Sequence, residues 1–246
     1  MKSISEKMAG LEASASIQQA EMIKRLKAEG RQVIDLTWGE PCFVTDSSVI
    51  NTSRRALESG RTKYSLSRGL LELRELIAER QYIENGLIYN PEKEIIITPG
   101  AKQAIFYALA SIINPGDEII VPEPYWLSYR DIISLLGGKL IGVKSRFEDR
   151  FIPDIEDIGK LITQKTKAVL LNTPVNPTGI VWDKKDLIKL CEIILTNDLY
   201  LISDEIYDRI VFDGKKHISP LGFPGMKERG ILVNGFSKTY AMTGWR

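Results

Sequence analysis

The chain has 246 residues, of which 43% are hydrophobic and 26% charged, so it can bury a sizeable core. Lysine and arginine number 33 against 32 aspartates and glutamates, and no clustered basic face is visible, which argues against nucleic-acid binding. One histidine and two widely spaced cysteines argue against a metal site and a disulfide framework. No apolar run approaches the ~20 residues of a membrane span and no signal-peptide core occurs, so we expect a cytoplasmic chain without membrane contact.

The first part of the chain is predicted to be mainly helical, because apolar residues recur at helical spacing. Three helices are predicted at 14–29, 47–59 and 70–84, with a short strand candidate at 33–36. Beyond residue 86 the pattern changes to short apolar strands alternating with longer helical stretches. The strand candidates are 94–98, 118–121, 139–143, 168–172, 200–203 and 231–234. Stretches long enough for crossover helices are 101–113, 125–136, 154–163 and 183–197.

These strands are rich in Ile, Val and Leu and nearly continuous in apolarity, as expected for strands covered on both faces. Their alternation with helices predicts an α/β fold, a three-layer domain with a mostly parallel sheet. We place an N-terminal arm and part of a small domain at residues 1–45, and the large α/β domain at residues 46–246.

Ligands of parallel α/β sheets bind at the carboxyl ends of the strands, so the residues that follow each strand carry the functional information. After strand 94–98, Gly100 opens a helix whose first free N–H groups could bind phosphate; an ordinary β–α turn is the alternative. After strand 118–121, Trp126 could form a flat wall for a ring or merely pack at a helix start.

Three further strand ends carry polar side chains. Strand 168–172 leads into a rigid, proline-containing loop in which Asn176 offers both a donor and an acceptor. Strand 200–203 ends at Asp204, a carboxylate that could orient a base or neutralise a cationic ring nitrogen. Strand 231–234 leads to Lys238, which is either a surface lysine or, if partly buried, an amine nucleophile.

The order of these motifs resembles the class I/II aminotransferases, the pyridoxal-phosphate enzymes of the aspartate aminotransferase fold (PLP-dependent transferase fold type I). The resemblance extends from Leu36-Thr37-Trp38-Gly39-Glu40-Pro41 to the end of the chain. The motifs that carry it are Asn176-Pro177-Thr178-Gly179, Ser203-Asp204-Glu205-Ile206-Tyr207, Ser237-Lys238 and Thr243-Gly244-Trp245-Arg246.

The resemblance implies pyridoxal 5'-phosphate (PLP) as the cofactor, with Lys238 holding it as an internal aldimine and then carrying protons. Asp204 would keep the pyridine nitrogen protonated, which makes the ring an electron sink. Asn176 and Tyr207 would hydrogen-bond the phenolic oxygen of the ring, and Trp126 would stack on it.

The resemblance also assigns the phosphate contacts. Arg246 would pair with the phosphate bidentately, together with the helix start at Gly100, Ala101 and Lys102. Tyr64 would reach the phosphate of a partner subunit, which implies a homodimer.

On the substrate side, the resemblance assigns contacts to Gly39, Asn176 and Lys102, with the Gly39 backbone facing the substrate carboxylate. In one subgroup of the family, the lysine after the phosphate-site glycine contacts the side-chain carboxylate of acidic substrates. We therefore expect an L-amino acid of the aspartate or glutamate type as amino donor and a 2-oxo acid as acceptor. A solvent-facing lysine at a helix start is the alternative for Lys102.

The chain departs from the family pattern in two places. Gly235 stands where many relatives have a phosphate-binding serine three residues before the lysine. Relatives continue well beyond the position of Arg246, so a C-terminally truncated chain is expected, without the arginine that grips the substrate α-carboxylate. Two alternatives to an aminotransferase therefore stay open: a PLP-dependent β-lyase or related reaction on the same fold, and a non-catalytic remnant.

Overall fold

The computed structural model describes residues 5, 8, 15–37 and 39–245. The chain forms two compact units, Met1–Val44 and Thr45–Arg246. In the first unit, helix α1 spans Ala15–Ala28, and residues 31–37 have no regular secondary structure. The predicted strand at 33–36 is therefore wrong, because no strand of the described part of the chain pairs with it. The assignment of this unit to a small domain stays a prediction.

The second unit begins with two helices, α2 at Ser47–Glu58 and α3 at Leu71–Asn85. Asp46 caps α2, because its Oδ1 accepts a hydrogen bond from the Ser48 backbone N–H at 2.8 Å. Helix α3 ends at Gly86, whose φ of 68° is the left-handed conformation that glycine adopts without a steric penalty. Both helices were predicted to within about one residue at each end.

A five-stranded sheet lies at the centre of this unit, and its strand order is β2-β1-β3-β4-β5. All adjacent strands pair in parallel, which confirms the prediction of a mostly parallel sheet. The strands are β1 at Glu118–Pro122, β2 at Lys139–Val143, β3 at Thr166–Asn172, β4 at Tyr200–Asp204 and β5 at Gly230–Val233.

Helices cover both faces of the sheet, so the predicted three-layer α/β architecture is confirmed. The helices are α4 at Ala101–Ile112, α5 at Ser128–Leu135, α6 at Ile155–Lys160, α7 at Lys184–Thr196 and α8 at Phe236–Thr239, with 3₁₀ turns at Pro220–Gly222 and Lys227–Arg229. Alternate residues of β3 pack on opposite faces: Leu170 packs into the core beneath α4 and α5, whereas Leu171 packs into the core beneath α6 and α7.

The prediction of a strand at residues 94–98 is wrong, since this segment belongs to no sheet of the described residues. Its Ile97 N–H donates to the Arg68 carbonyl at 3.0 Å, and Ile97 packs so closely that a Cβ on Gly69 would lie 2.5 Å from its Cγ1. A groove of about 700 Å³ is lined by this segment and by β5. A strand needs a neighbouring strand with which its backbone N–H and C=O groups can form hydrogen bonds. Here the groove lies between the segment and β5, an edge strand of the sheet.

Leu170→Ala should destabilise the second unit strongly, because Leu170 is fully buried at the centre of the sheet. We expect the free energy of unfolding in urea to fall by roughly 2–5 kcal/mol. Leu57→Ala, on the exposed side of α2, is the matched control and should change the value by less than about 0.5 kcal/mol. Equal losses in the two variants would contradict the assignment of the core.

Candidate functional site

The candidate site lies where β1, β3, β4 and β5 end, at the carboxyl edge of the sheet. Each strand leads directly into the segment that the sequence singled out. Pro122 precedes the aromatic segment, Asn172 precedes the Asn176 loop, β4 ends at Asp204 itself, and Val233 precedes the lysine segment. Parallel pairing therefore brings residues that are distant in sequence to one edge, as predicted.

Asp204 is a deeply buried charged group of this edge, with 3% of its surface exposed. Its Oδ2 accepts a hydrogen bond from the Tyr129 hydroxyl at 2.6 Å, and its Oδ1 accepts one from the Ile206 N–H at 3.2 Å. Burial raises the pKa of Asp204 to about 6, and the hydrogen bonds from Tyr129 and Ile206 oppose this rise. Among the described residues no lysine, arginine or histidine forms a salt bridge with it, so the carboxylate lacks a cationic partner there.

The Asn176 loop is fastened to the end of β4. The Asn172 side-chain amide donates to the Asp204 carbonyl at 2.8 Å, and the Asn172 Oδ1 accepts from the Asn176 N–H at 2.7 Å. The Asn176 amide in turn lies 3.4 Å from the Tyr207 hydroxyl. Burial raises the pKa of Tyr207, which keeps its hydroxyl protonated at neutral pH. Asn176 and Tyr207 thus present an amide and a phenol side by side.

Lys238 lies on α8, a helix of four residues that follows β5. Its Nζ is 5.7 Å from the centre of the Tyr207 ring, which places the amine beside the amide–phenol pair. A Cβ on Gly235 would lie 3.0 Å from the Ile206 Cδ1, so the backbone passes close to the residues that follow β4. A serine at this position would require the Ile206 side chain to shift by a few tenths of an ångström.

The start of α4 forms another part of this edge. Gly100 has a φ of 97°, which favours glycine, and no side chain caps the helix. The N-terminus of a twelve-residue helix without a side-chain cap favours an anion. The Lys102 Nζ lies 4.9 Å from the centre of the Trp126 ring, and Trp126 contacts the Tyr129 ring edge-on at 5.4 Å.

The predicted roles of three further residues stay predictions. Tyr64 belongs to the second unit, and its side chain is fully exposed in the part of the chain that the structure describes. Gly39 belongs to the first unit. Arg246 lies outside the described residues, so its predicted phosphate contact stays a prediction.

Tyr129 and Asn172 are the functional candidates that sequence reasoning missed. Tyr129 follows Trp126 by three residues, and that spacing could have indicated a second aromatic on the same side of a helix start. Its contact with Asp204 spans 75 residues of sequence and carries no local signal. Asn172 could have been identified as the last residue of β3, at the same edge as Asp204.

The single histidine takes no part in this site. The His217 Nε2 lies 2.7 Å from an oxygen of Glu205, whose other oxygen accepts hydrogen bonds from Ser203 and Ser219. This buried cluster stabilises the loop that follows β4. Nowhere in the described part of the chain is a group of three or more His, Cys, Asp or Glu placed to hold a metal ion. None of the described helices is both long and apolar enough to span a membrane.

Taken together, one edge of a parallel sheet carries a buried carboxylate, an amine, an amide–phenol pair and an aromatic ring beside an uncapped helix N-terminus. These features define an α/β protein whose sheet edge could receive an anionic ligand that contains a ring. The chain belongs to the class I and II aminotransferase family, whose model matches residues 31–246.

Similar proteins agree with this assignment. The aspartate/prephenate aminotransferase of Thermus thermophilus is 41% identical over 246 residues, which are 100% of this chain and 63% of that protein. The aspartate aminotransferase of Bacillus subtilis is 38% identical over 244 residues, 99% of this chain and 62% of that protein. A solved structure of the Thermus thermophilus aspartate aminotransferase with maleate has a TM-score of 0.94 at 41% identity, covering 100% of this chain and 63% of that one. This chain therefore spans less than two thirds of the length of these relatives.

Proposed function

We propose that this chain is part of a PLP-dependent aminotransferase that moves an amino group between an L-amino acid and a 2-oxo acid. The observation that carries the proposal is the buried Asp204 carboxylate, which has no cationic partner among the described residues and shares one sheet edge with Lys238 and Tyr207. The family to which the chain belongs is PLP-dependent.

The residues of this edge fit the cofactor. Among the described residues each Asp204 oxygen accepts one hydrogen bond, which leaves lone pairs on both oxygens, and a protonated pyridine nitrogen would supply a cation. The start of α4 would receive the phosphate, and Trp126 would provide a ring face for stacking. Asn176 and Tyr207 would donate to the phenolic oxygen, and Lys238 would provide the amine for covalent attachment.

When bound, the cofactor supplies an electron sink for the bond broken at the substrate α-carbon. The Asp204 carboxylate would hold a proton on the pyridine nitrogen, and burial would strengthen this interaction because water does not screen it. The Lys238 Nζ would take and return the proton of the substrate α-carbon. The Tyr207 hydroxyl and the Asn176 amide would orient the phenolic oxygen.

We further propose that the amino donor is acidic, aspartate or glutamate. Lys102 supports this, since it is exposed at the start of α4 and its Nζ lies over the Trp126 ring. A cation at this position over the ring could form an ion pair with the side-chain carboxylate of a substrate without itself being buried.

Lys102→Ala should therefore reduce the preference for aspartate over alanine by roughly tenfold, the effect of removing one hydrogen bond to a charged group. The preference is measured as the ratio of the concentrations at which the two amino acids give half of the spectral change of the PLP-loaded chain. Lys185→Ala, an exposed lysine on α7, is the control and should leave the ratio unchanged. An unchanged ratio in Lys102→Ala would exclude Lys102 from substrate recognition.

Amino transfer is tested by incubating the PLP-loaded chain with aspartate and labelled 2-oxoglutarate. Label in glutamate, with an equal amount of oxaloacetate, is the expected result. A parallel incubation with O-acetylserine and no 2-oxo acid tests the alternative, because hydrolytic release of acetate, ammonia and pyruvate from this amino acid would instead indicate elimination on the same fold. PLP binding with neither product would mean that the chain holds the cofactor but does not transfer amino groups.

We also propose that the protein is a cytoplasmic homodimer. The Tyr64 side chain supports a partner subunit, because it is fully exposed and so is available for a contact with another chain. Two free cysteines fit a reducing compartment. Sedimentation equilibrium of the wild-type chain and of Tyr64→Ala, each with and without PLP, tests the subunit contact. A monomer under all of these conditions would contradict the proposal for this chain.

A further inference from the structure

Helix α8 carries Lys238 but is too short to be stable by itself. It has four residues, and isolated helices of fewer than about 12 residues are marginal in water. The position of the lysine must therefore be fixed by contacts with other elements. The side-chain hydrogen bonds around it identify one residue that makes such contacts on both sides of the lysine.

That residue is Asp208, in the turn that follows Tyr207. One of its oxygens, Oδ2, accepts a hydrogen bond from the Asn234 side-chain amide at 2.9 Å. Its other oxygen, Oδ1, accepts one from the Thr239 hydroxyl at 3.3 Å. Asn234 lies four residues before Lys238 and Thr239 directly after it, so a single carboxylate bonds to both ends of the segment that contains the lysine.

The carboxylate is itself held in place. The Arg80 guanidinium, from α3, contacts the Asp208 Oδ2 at 2.7 Å, and the Asp208 side chain is only 9% exposed. Arg80 is oriented by Glu84 at 3.0 Å, and Glu84 also pairs with Arg209. A buried carboxylate with a cationic partner and two further donors is a stable acceptor, because all of its bonds are charge-assisted.

We propose that Asp208 is a positioning residue for Lys238, setting the place of the lysine amine relative to the Tyr207 ring through Asn234 and Thr239. The inference rests on the proposed function, since it gives Lys238 the amine that attaches to PLP. The Asp208 oxygens bond to Asn234, Thr239 and Arg80, so no direct contact with the cofactor is assigned to them. Asp208 directly follows Tyr207 in the chain and accepts hydrogen bonds from Asn234 and Thr239. It therefore links the Tyr207 backbone to the segment that contains Lys238.

The first test is amide hydrogen exchange of the wild-type chain and of Asp208→Ala, both without cofactor. The Tyr240 and Met242 N–H groups donate to the Phe236 and Ser237 carbonyls, so their exchange reports on the lysine segment. We expect these two amides to exchange about tenfold faster in Asp208→Ala, while those of β3 keep their protection. Equal rates in the two proteins, or acceleration spread over the whole sheet, would overturn the proposal.

The second test compares the rates at which PLP becomes covalently attached to the wild type and to the variants after mixing. The comparison is made under solution conditions in which their midpoints of thermal unfolding agree. Asp208→Ala should slow attachment about tenfold, and Asp208→Asn, which keeps one acceptor oxygen, should be intermediate. Thr239→Val removes only one of the two hydrogen bonds between Asp208 and the lysine segment, and it replaces Asp208→Ala in the test if that variant does not fold. Glu84→Gln is the matched control, because it alters the same ion-pair network without touching the lysine segment.

If Glu84→Gln slowed PLP attachment as much as Asp208→Ala does, the effect would belong to the ion-pair network as a whole, and the proposal would be overturned. Wild-type rates in both Asp208→Ala and Thr239→Val would overturn it as well. If PLP does not attach even to the wild-type chain, the proposed function fails, and the exchange experiment still decides the role of Asp208.

Discussion

Lys238→Ala abolishes covalent attachment of PLP, according to the arrangement at the carboxyl edge of the sheet. The absorbance band of the protein-bound cofactor is expected to disappear, since Lys238 supplies the amine that lies beside the Tyr207 ring. Any amino transfer should fall by a factor on the order of 10³ or more, the scale of other nucleophile deletions. The measurement is an absorbance titration with PLP, followed by the transfer assay.

Lys227→Ala is the matched control for this variant. Lys227 is also partly buried and pairs with Glu94 at 3.1 Å, but it lies away from the strand ends that carry the site. Its loss should leave the band unchanged. A band of wild-type strength in Lys238→Ala would contradict the assignment of the attachment site.

Asp204→Asn should weaken PLP binding more than any other substitution that leaves Lys238 in place. Removing one partner of a buried charge pair costs roughly 3–5 kcal/mol, so the dissociation constant should rise by roughly 10²- to 4 × 10³-fold. The measurement is equilibrium binding of PLP followed by fluorescence quenching. Asp186→Asn, which removes a carboxylate from the first turn of α7, is the control and should bind PLP as the wild type does.

The same substitution has a pH-dependent effect on the stability of the chain without cofactor. The pKa of Asp204 is about 6 when folded and 3.8 when unfolded, so its favourable contribution is present below pH 4 and lost as the pH rises through 6. The wild type should therefore lose up to about 3 kcal/mol relative to Asp204→Asn between pH 4 and pH 7. Saturating PLP should reduce this loss, because a cationic ring nitrogen favours the ionised carboxylate. A constant difference across this pH range would contradict the buried state of Asp204.

The five strands of the sheet could be predicted from sequence because a strand that is covered on both faces consists almost entirely of apolar residues. Each is a nearly continuous apolar run, and each was predicted to within about two residues. The same reasoning failed at 94–98 and 33–36. Those segments have the composition of strands, but a strand also needs a neighbour with free N–H and C=O groups, and local composition does not show whether one is there.

The site was predictable to the extent that it follows from strand ends. Asp204 ends a strand, and Asn176, Tyr207 and Lys238 each follow one, so a parallel sheet is sufficient to bring them together. The supporting contacts were not predictable in this way. Tyr129 reaches Asp204 from a helix, and Arg80 reaches Asp208 over 128 residues of sequence, so each contact depends on how a helix packs. The sequence pattern thus indicates which residues gather at the edge, whereas packing decides how they are held.

The most direct test of the proposed site is borohydride reduction of the chain after incubation with PLP, followed by digestion and mass spectrometry. Reduction fixes the cofactor to whichever amine holds it. The arrangement of Lys238 beside Tyr207 predicts a single modified peptide, with the adduct on Lys238 and a stoichiometry near one per chain. An adduct on other lysines, with Lys238 unmodified, would contradict the assignment of this edge of the sheet as the cofactor site.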